Sequence, residues 1–493
     1  MSAGHLPALQ VVIPLIAAPL CALSLRGPLA WLISLLATWA AFGIAIFLFA
    51  DVIGQGAISY ALGGWAPPFG IEYRVDYLSA FVLLIVSGIA AVVVPYAWYT
   101  VRQQVAANRQ HLFFAMFMLA LAGLLGIVIT GDAFNLYVFL EISSLASYVL
   151  VAQGANRRAL SAAYQYLVLG TIGATLILIG IGLLYAVTGT LNMADLALRV
   201  LPLQDHRTVL AAFAFLTVGI SLKLALFPLH LWLPNAYTYA PSAVSAFLAA
   251  TATKVGAYVL LRFTFTIFGD RFAFGLEPLE WILMPLALIA VLGGALVAIF
   301  QTNVKRLLAY SSVSQIGYIA LGISFANVPG LTGGIVHLLN HALMKGGLFL
   351  AVGCVSYRLG GSDLVQFRGL GRSMPVTMAA VVVGGLSLVG VPLTVGFVSK
   401  WYLVGAALDA ALWPVAAIVL VSSLLALVYM GRIVEAAYFH APPPDARPAR
   451  EAPAPMLAAT WLLIGSCVFF GIHTDLTVRI AQTIAARLLW FAP

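Results

Sequence analysis

Apolar runs of about twenty residues, separated by short clusters of Pro, Gly and Arg, recur along the whole chain. A helix needs about 20 mostly apolar residues to cross hydrocarbon. Cutting the sequence at its turn and charge clusters predicts about fourteen spans: 6–25, 28–50, 76–99, 111–130, 132–153, 160–188, 207–238, 241–267, 278–301, 304–325, 330–357, 374–408, 411–438 and 456–475. The first segment lacks a small-residue cleavage site leading into a soluble domain and reads as a retained span. Two segments, 207–238 and 374–408, are too long for one crossing and carry Pro228 and Pro392 near their middles. A proline inside a helix removes a hydrogen bond and clashes with the preceding turn. Lipid does not repair the freed carbonyls, so such breaks persist only where protein or water satisfies them. Both segments are therefore predicted as broken helices. Each is the fourth helix of a five-helix block, 111–267 and 278–438. Interrupted helices in corresponding positions of two halves point to a transport site, although residue similarity between the blocks is limited to Pro-Leu at 228–229 and 392–393.

The loops give an independent check, because cytoplasmic loops are enriched in Lys and Arg. With fourteen spans and both termini outside, thirteen basic residues between Arg26 and Arg450, Arg447 among them, fall inside, against six outside. The acids run the other way, four inside and eleven outside. The expected organisation is three N-terminal helices (1–110), the two blocks, and a Pro-rich cytoplasmic loop (440–455) that includes Pro442, Pro443, Pro444 and Pro448. A last helix and an amphipathic interfacial tail follow (456–493).

Composition narrows the class. Hydrophobic residues make up 63% of the 493 and charged residues 8%, with a mean hydropathy of +1.06. Soluble domains carry roughly 25% charged residues. A water-soluble enzyme, a disordered scaffold and a nucleic-acid binder are excluded, since the arginines behind the net charge of +8 are scattered and form no stripe. Cys21, Cys354 and Cys467 stand apart in apolar runs without metal or disulfide spacing. The chain reads as an all-α polytopic membrane protein in a lipid bilayer.

Its few interior charges carry the chemistry. Of five lysines, Lys223, Lys254, Lys345 and Lys400 lie within spans, while the loops use Arg. A desolvated ammonium can release its proton and a guanidinium cannot, so Lys and His suit a relay whose members load and unload. Glu141 is the one acid near the middle of a span and is expected to pair with Lys223, five residues before the first break; a static packing pair is the alternative. Lys254 is too deep to snorkel from either end. His337, His341 and Lys345, spaced i, i+4, i+8, line one helix face as a protonatable stripe, or pack there as satisfied histidines. Lys400 lies eight residues past Pro392, in an exit-side position, and His230 lies at the first break between Pro228 and Pro234. Arg262 and Lys305, near helix ends, read as interface anchors. HxxxH with Leu338 after the first His lacks the metalloprotease glutamate. No metal or cofactor is expected.

Several of these strings together resemble one family. Gly131-Asp-Ala-Phe-Asn-Leu-Tyr-Val-Phe-Leu-Glu141, Lys223-Leu-Ala-Leu-Phe-Pro-Leu-His-Leu-Trp-Leu-Pro, Thr253-Lys254-Val-Gly, Lys305-Arg-Leu-Leu-Ala-Tyr-Ser-Ser and His337-Leu-Leu-Asn-His341 are similar to motifs of the antiporter-like subunits. These are the pump subunits of respiratory complex I, those of membrane-bound hydrogenases, and the A and D subunits of Na+/H+ (Mrp-type) antiporter complexes. The resemblance spans about residues 70–435. It implies fourteen helices, two inverted five-helix repeats and a proton path along the midplane. On it, the Glu–Lys switch pair falls on Glu141 and Lys223, the central lysine on Lys254, the bridging histidines on His337 and His341, and the terminal charge on Lys400. Length near 490 resembles the D subunit, and Tyr237 stands where complex I relatives commonly carry His. The leading expectation is a proton-translocating, D-like subunit of a hetero-oligomeric complex in a bacterial inner membrane, moving H+ alone or in exchange for Na+ or K+ alongside sister subunits. The alternative is a pump subunit of an NADH:quinone or hydrogenase complex, with no redox chemistry of its own.

Overall fold

The computed structural model describes residues 3–444 and 449–489. Arg447 and Pro448 of the Pro-rich loop, and the end of the tail (490–493), lie outside the described residues. The chain opens with α1 (Leu6–Leu23) and α2 (Gly27–Gln55), then a two-stranded antiparallel hairpin, β1 (Ile58–Ala61) and β2 (Glu72–Val75), in which Ser59 faces Arg74. Next come α3 (Tyr77–Gln104), α4 (Gln110–Ile129), α5 (Ala133–Ala152), α6 (Arg158–Thr188) and the short α7 (Met193–Val200). The first broken crossing is α8 (Arg207–Leu224) and α9 (Trp232–Tyr239). The block closes with α10 (Ser242–Ala250) and α11 (Ala252–Leu261), which runs on as a π-helix at Arg262–Ile267. The second block is α12 (Glu280–Ile299), α13 (Val304–Ser324), α14 (Val328–Leu359), the single turn α15 (Leu370–Ser373), the broken pair α16 (Pro375–Val389) and α17 (Val395–Asp409), and α18 (Trp413–Phe439). The helices α19 (Ala454–Ile472) and α20 (Asp475–Leu489) end the described chain.

Thirteen helices among the described residues are long and apolar enough to cross a membrane, and the α16–α17 pair supplies the fourteenth crossing. Short polar caps set where the helices start. Asp76 and Ser79 form a reciprocal capping box on α3, while Asp132, Asn303 and Asn327 accept the Asn135, Arg306 and Gly330 amides at the heads of α5, α13 and α14.

Contacts between loops define the two ends of the bundle. At the hairpin end, Tyr73 pairs with Thr130 and Asp132 with Asn192. At the opposite end Asn303 pairs with Asp363, Gln104 bonds Ser242, and Arg158 bonds Tyr239. These groupings match the alternation of loops expected from charge. They also set the sense of the broken helices: α8 approaches its break from the hairpin end, α16 from the opposite end. The most fully buried helices are α10, α11, α13 and α14, which form the centre of the bundle.

Three features differ from the sequence reading. Residues 475–489 do form an amphipathic helix, but its apolar face, with Val478, Ile484 and Leu488, covers α14 and α3. Lys305 is buried and donates to the Ala240 carbonyl at 3.2 Å, where α9 ends and leaves acceptors without helical donors. Arg262 is likewise buried, against Asp76 and Tyr258, so neither basic residue is an interface anchor. Lastly, the end of the Pro-rich loop is tied down. Glu451 accepts from the Val376 and Thr377 amides and from Thr377 Oγ1 at 2.6 Å, and its carbonyl accepts from Arg358.

Candidate functional site

Both breaks form where the sequence places them. α8 stops at Ala225, which adopts a left-handed φ of +59°, and irregular chain through Pro228 leads into α9. α16 stops at Gly390 (φ +88°), and Leu393 (φ +71°) leads past Pro392 into α17. A Cβ on Gly396 would lie 1.8 Å from the Ser387 carbonyl oxygen, so α17 approaches α16 at a distance only glycine permits. A further interruption falls at Thr251 (φ −123°, ψ −56°), between α10 and α11. Neither proline nor glycine marks it, and the sequence reading missed it.

The lysines sit at these interruptions. Lys223 lies in the last turn of α8, its Nζ 3.8 Å from Glu141 Oε1, 2.8 Å from Ser144 Oγ and 3.5 Å from the Tyr148 hydroxyl. The Glu141 contact is an ion pair beyond hydrogen-bond reach. Lys254, fully buried three residues past Thr251, donates to the Ala249 carbonyl. Lys400 on α17 reaches back to α16, donating to the Leu388 and Val389 carbonyls at 3.2 and 2.8 Å and to Ser423 Oγ at 2.8 Å. An ammonium against terminal carbonyls complements the negative end of that half-helix.

Between the breaks, α14 carries the histidine stripe. The His337 and His341 rings stack with centroids 6.0 Å apart, and His337 Nδ1 lies 2.7 Å from Ser399 Oγ, next to Lys400. Both ring nitrogens of His341 and Nε2 of His337 are buried without a protein partner. Lys345 is anchored sideways to α13, through the Leu308 carbonyl at 2.9 Å and Ser311. A cavity of about 40 Å³ bounded by Lys223, Ser144 and Ser147 on one side and Ala252, Val255 and Gly256 on the other connects the first pair toward α11. That volume holds a few waters at roughly 10–15 Å³ each.

The structure pairs partly buried Glu141 and Lys223 at the first break, buries Lys254, His341 and His337 in the central helices and Lys400 at the second break, and ties Lys345 to α13. It leaves His230 apart, stacked on the Phe227 ring at 5.4 Å with Nδ1 unpartnered. The hydroxyl partners Ser144, Ser311, Ser399, Ser423 and Tyr148 were not singled out in the sequence. Ser144 and Tyr148 could have been, as they follow Glu141 at i+3 and i+7 on one helix face. Ser423 lies on another helix and has no local signal.

A fourteen-crossing bundle with two oppositely directed broken helices and a buried line of titratable groups is the architecture of an ion-translocating membrane subunit. Residues 130–426 match the family described as NADH:quinone oxidoreductase/Mrp antiporter, TM, and the chain belongs to that family. It is 43% identical to NADH-quinone oxidoreductase subunit N of Desulforudis audaxviator, over 99% of this chain and 100% of that one. It is 30% identical to the D subunit of the Na(+)/H(+) antiporter of Bacillus subtilis, over 98% and 96%. Among solved structures, a chain of the Mrp complex from Dietzia sp. DQ12-45-1b superposes with a TM-score of 0.92 at 27% identity, covering 100% of this chain and 98% of that one. A chain of an archaeal membrane-bound sulfane sulfur reductase gives 0.90 at 31%, covering 98% of each.

Proposed function

We propose that this chain carries protons along the membrane midplane as a D-like subunit of a monovalent cation/H+ antiporter complex. The supporting observation is the line of buried titratable side chains strung between two broken helices. Glu141–Lys223 is the switch: with its ion pair at 3.8 Å, a small displacement of either side chain changes how firmly the lysine holds its proton. Protons pass from Lys223, which lines the 40 Å³ cavity against α11, to Lys254 on that helix, then by His341 and His337 to Lys400. The hydroxyls of Ser144, Ser399 and Ser423 accept and donate between them. Five alternately directed crossings in each block make the two breaks an inverted pair, with one half-path facing each side. The excess of basic residues supports an orientation with the end opposite the hairpin in the cytoplasm and both termini outside. Na+ or K+ is the exchanged cation, and sister subunits of the complex supply the coupling.

The test uses the whole complex in everted vesicles, with a ΔpH-sensitive dye and Na+ or K+ addition. Glu141→Gln and Lys254→Ala should each abolish cation-dependent dye recovery while the complex assembles normally; wild-type recovery in either variant sinks the relay. The full-length relative named NADH-quinone oxidoreductase subunit N supports a second reading, a redox-coupled pump subunit. Flavin and iron–sulfur absorbance in the purified assembly, with pumping driven by electron transfer, would decide for it.

A further inference from the structure

Lys305 is buried outside the relay and is held by the Ala240 carbonyl at the end of α9; the relay also leaves out a second buried cation, Arg262. Lys254, Tyr258 and Arg262 follow i, i+4, i+8 and so share one face of α11, leading from the middle of the bundle to the hairpin end. Tyr258 donates to the Val128 carbonyl at 2.8 Å and accepts from Arg262 Nε at 3.0 Å. Arg262 Nη2 is paired with Asp76. The helix widens into its π-turn at Arg262 itself, a distortion that is frequent at functional positions.

Two cavities meet at this pair. An outer vestibule of about 370 Å³ opens between α3 and α20, walled by Tyr77, Ile484 and Arg487. An inner pocket of about 30 Å³ reaches Tyr258 and Thr130. They share Arg74, Asp76, Arg262 and Thr266, so the ion pair stands between solution and the tyrosine one helical turn from Lys254. The Arg262 side chain lines both spaces.

We propose that Arg262, held in place by Asp76, is an electrostatic plug that keeps hairpin-side protons from reaching Lys254. This rests on the reading of Lys254 as a relay site. The chemistry suits a plug and not a carrier. A guanidinium has only donors, offers no lone pair to an arriving proton and does not deprotonate. A fixed positive charge at a narrow wet constriction repels a hydronium ion. Burial works against the Asp76 carboxylate, but Arg262 and the Ser79 amide outweigh it and hold its carboxyl at about 2, so the pair stays charged at neutral pH.

The experiment is passive proton conductance of the intact complex in proteoliposomes, with an internal pH dye, an imposed pH step and no driving cation or substrate. Arg262→Gln should raise the conductance at least tenfold, and Arg262→Lys, which keeps a positive charge but one that can release its proton, should fall between wild type and Arg262→Gln. An assembled Arg262→Gln complex as tight as wild type overturns the proposal. Should that variant fail to assemble, Asp76→Asn reads the same point, because it releases the guanidinium; wild-type tightness there overturns it as well. Adding Lys254→Ala to Arg262→Gln separates the two ideas. Loss of the leak supports plug and relay together, whereas a leak that persists upholds the plug and overturns the relay through Lys254.

Discussion

Gly396→Ala probes the second break with a single methyl group. Its Cβ would lie 1.8 Å from the Ser387 carbonyl oxygen. Ordinary contact begins at 3.4 Å, so the first turn of α17 must move by up to 3.4 − 1.8 = 1.6 Å. Lys400 lies one turn further along α17 and holds the Val389 carbonyl at 2.8 Å. A shift of that size along the bond would stretch it to 2.8 + 1.6 = 4.4 Å, past hydrogen-bond range. Overpacking of this kind costs about 1–3 kcal/mol, which corresponds to roughly a five- to 150-fold loss of the native arrangement. Ion transport by the assembled complex in vesicles should fall within that range. Gly405→Ala is the control: on the same helix, with no atom near its added Cβ, it should be silent. Equal transport by wild type and Gly396→Ala would refute the idea that close approach of the half-helices positions Lys400.

Further expectations concern the first break, the central lysine and the hairpin end. Ala225→Gly, at a φ of +59°, removes left-handed strain and should stabilise the solubilised protein by about 1 kcal/mol, raising its thermal midpoint. Lys254→Arg keeps the charge but not the releasable proton, so transport should be lost as completely as in Lys254→Ala; full activity would remove Lys254 from the proton path. Asp76→Asn should cost about 2 kcal/mol at neutral pH, from a carboxyl held at about 2 against an ordinary 3.8. Because that value is depressed, the contribution is present above about pH 4 and disappears as pH falls toward 2, so wild-type and variant unfolding curves should converge in acid. Asp132 has the opposite sign. Burial raises its carboxyl despite bonds from the Asn135 and Phe134 amides, so its contribution is fullest in acid and lost as pH rises. Asp132→Asn retains a cap and should melt no lower than wild type at neutral pH.

Much of this was legible in the chain because a bilayer restricts what a sequence can do. Span limits followed from apolar length, and Pro228 and Pro392 marked real breaks because a missing amide cannot be hidden in hydrocarbon. The rarity of interior charge singled out Glu141, Lys223, Lys254, His337, His341, Lys345 and Lys400. What escaped detection lacks a one-dimensional trace. The kink at Thr251 contains no breaker residue, and Ser423 meets Lys400 only through packing of α18 on α17. Lys305 and Arg262 looked like anchors because position near a helix end says nothing about which neighbour covers it. His230 has the right chemistry beside a break, yet it stacks on Phe227.

The Glu451 tether has a mechanical consequence. By gripping the first amides of α16 while its carbonyl holds Arg358 at the foot of α14, it makes the near half of the second broken helix and the histidine-bearing helix one rigid piece. If this break moves during transport, the tether leaves Gly390–Thr394 as the joint and α17 as the arm, so Lys400 would shift relative to the carbonyls at the end of α16.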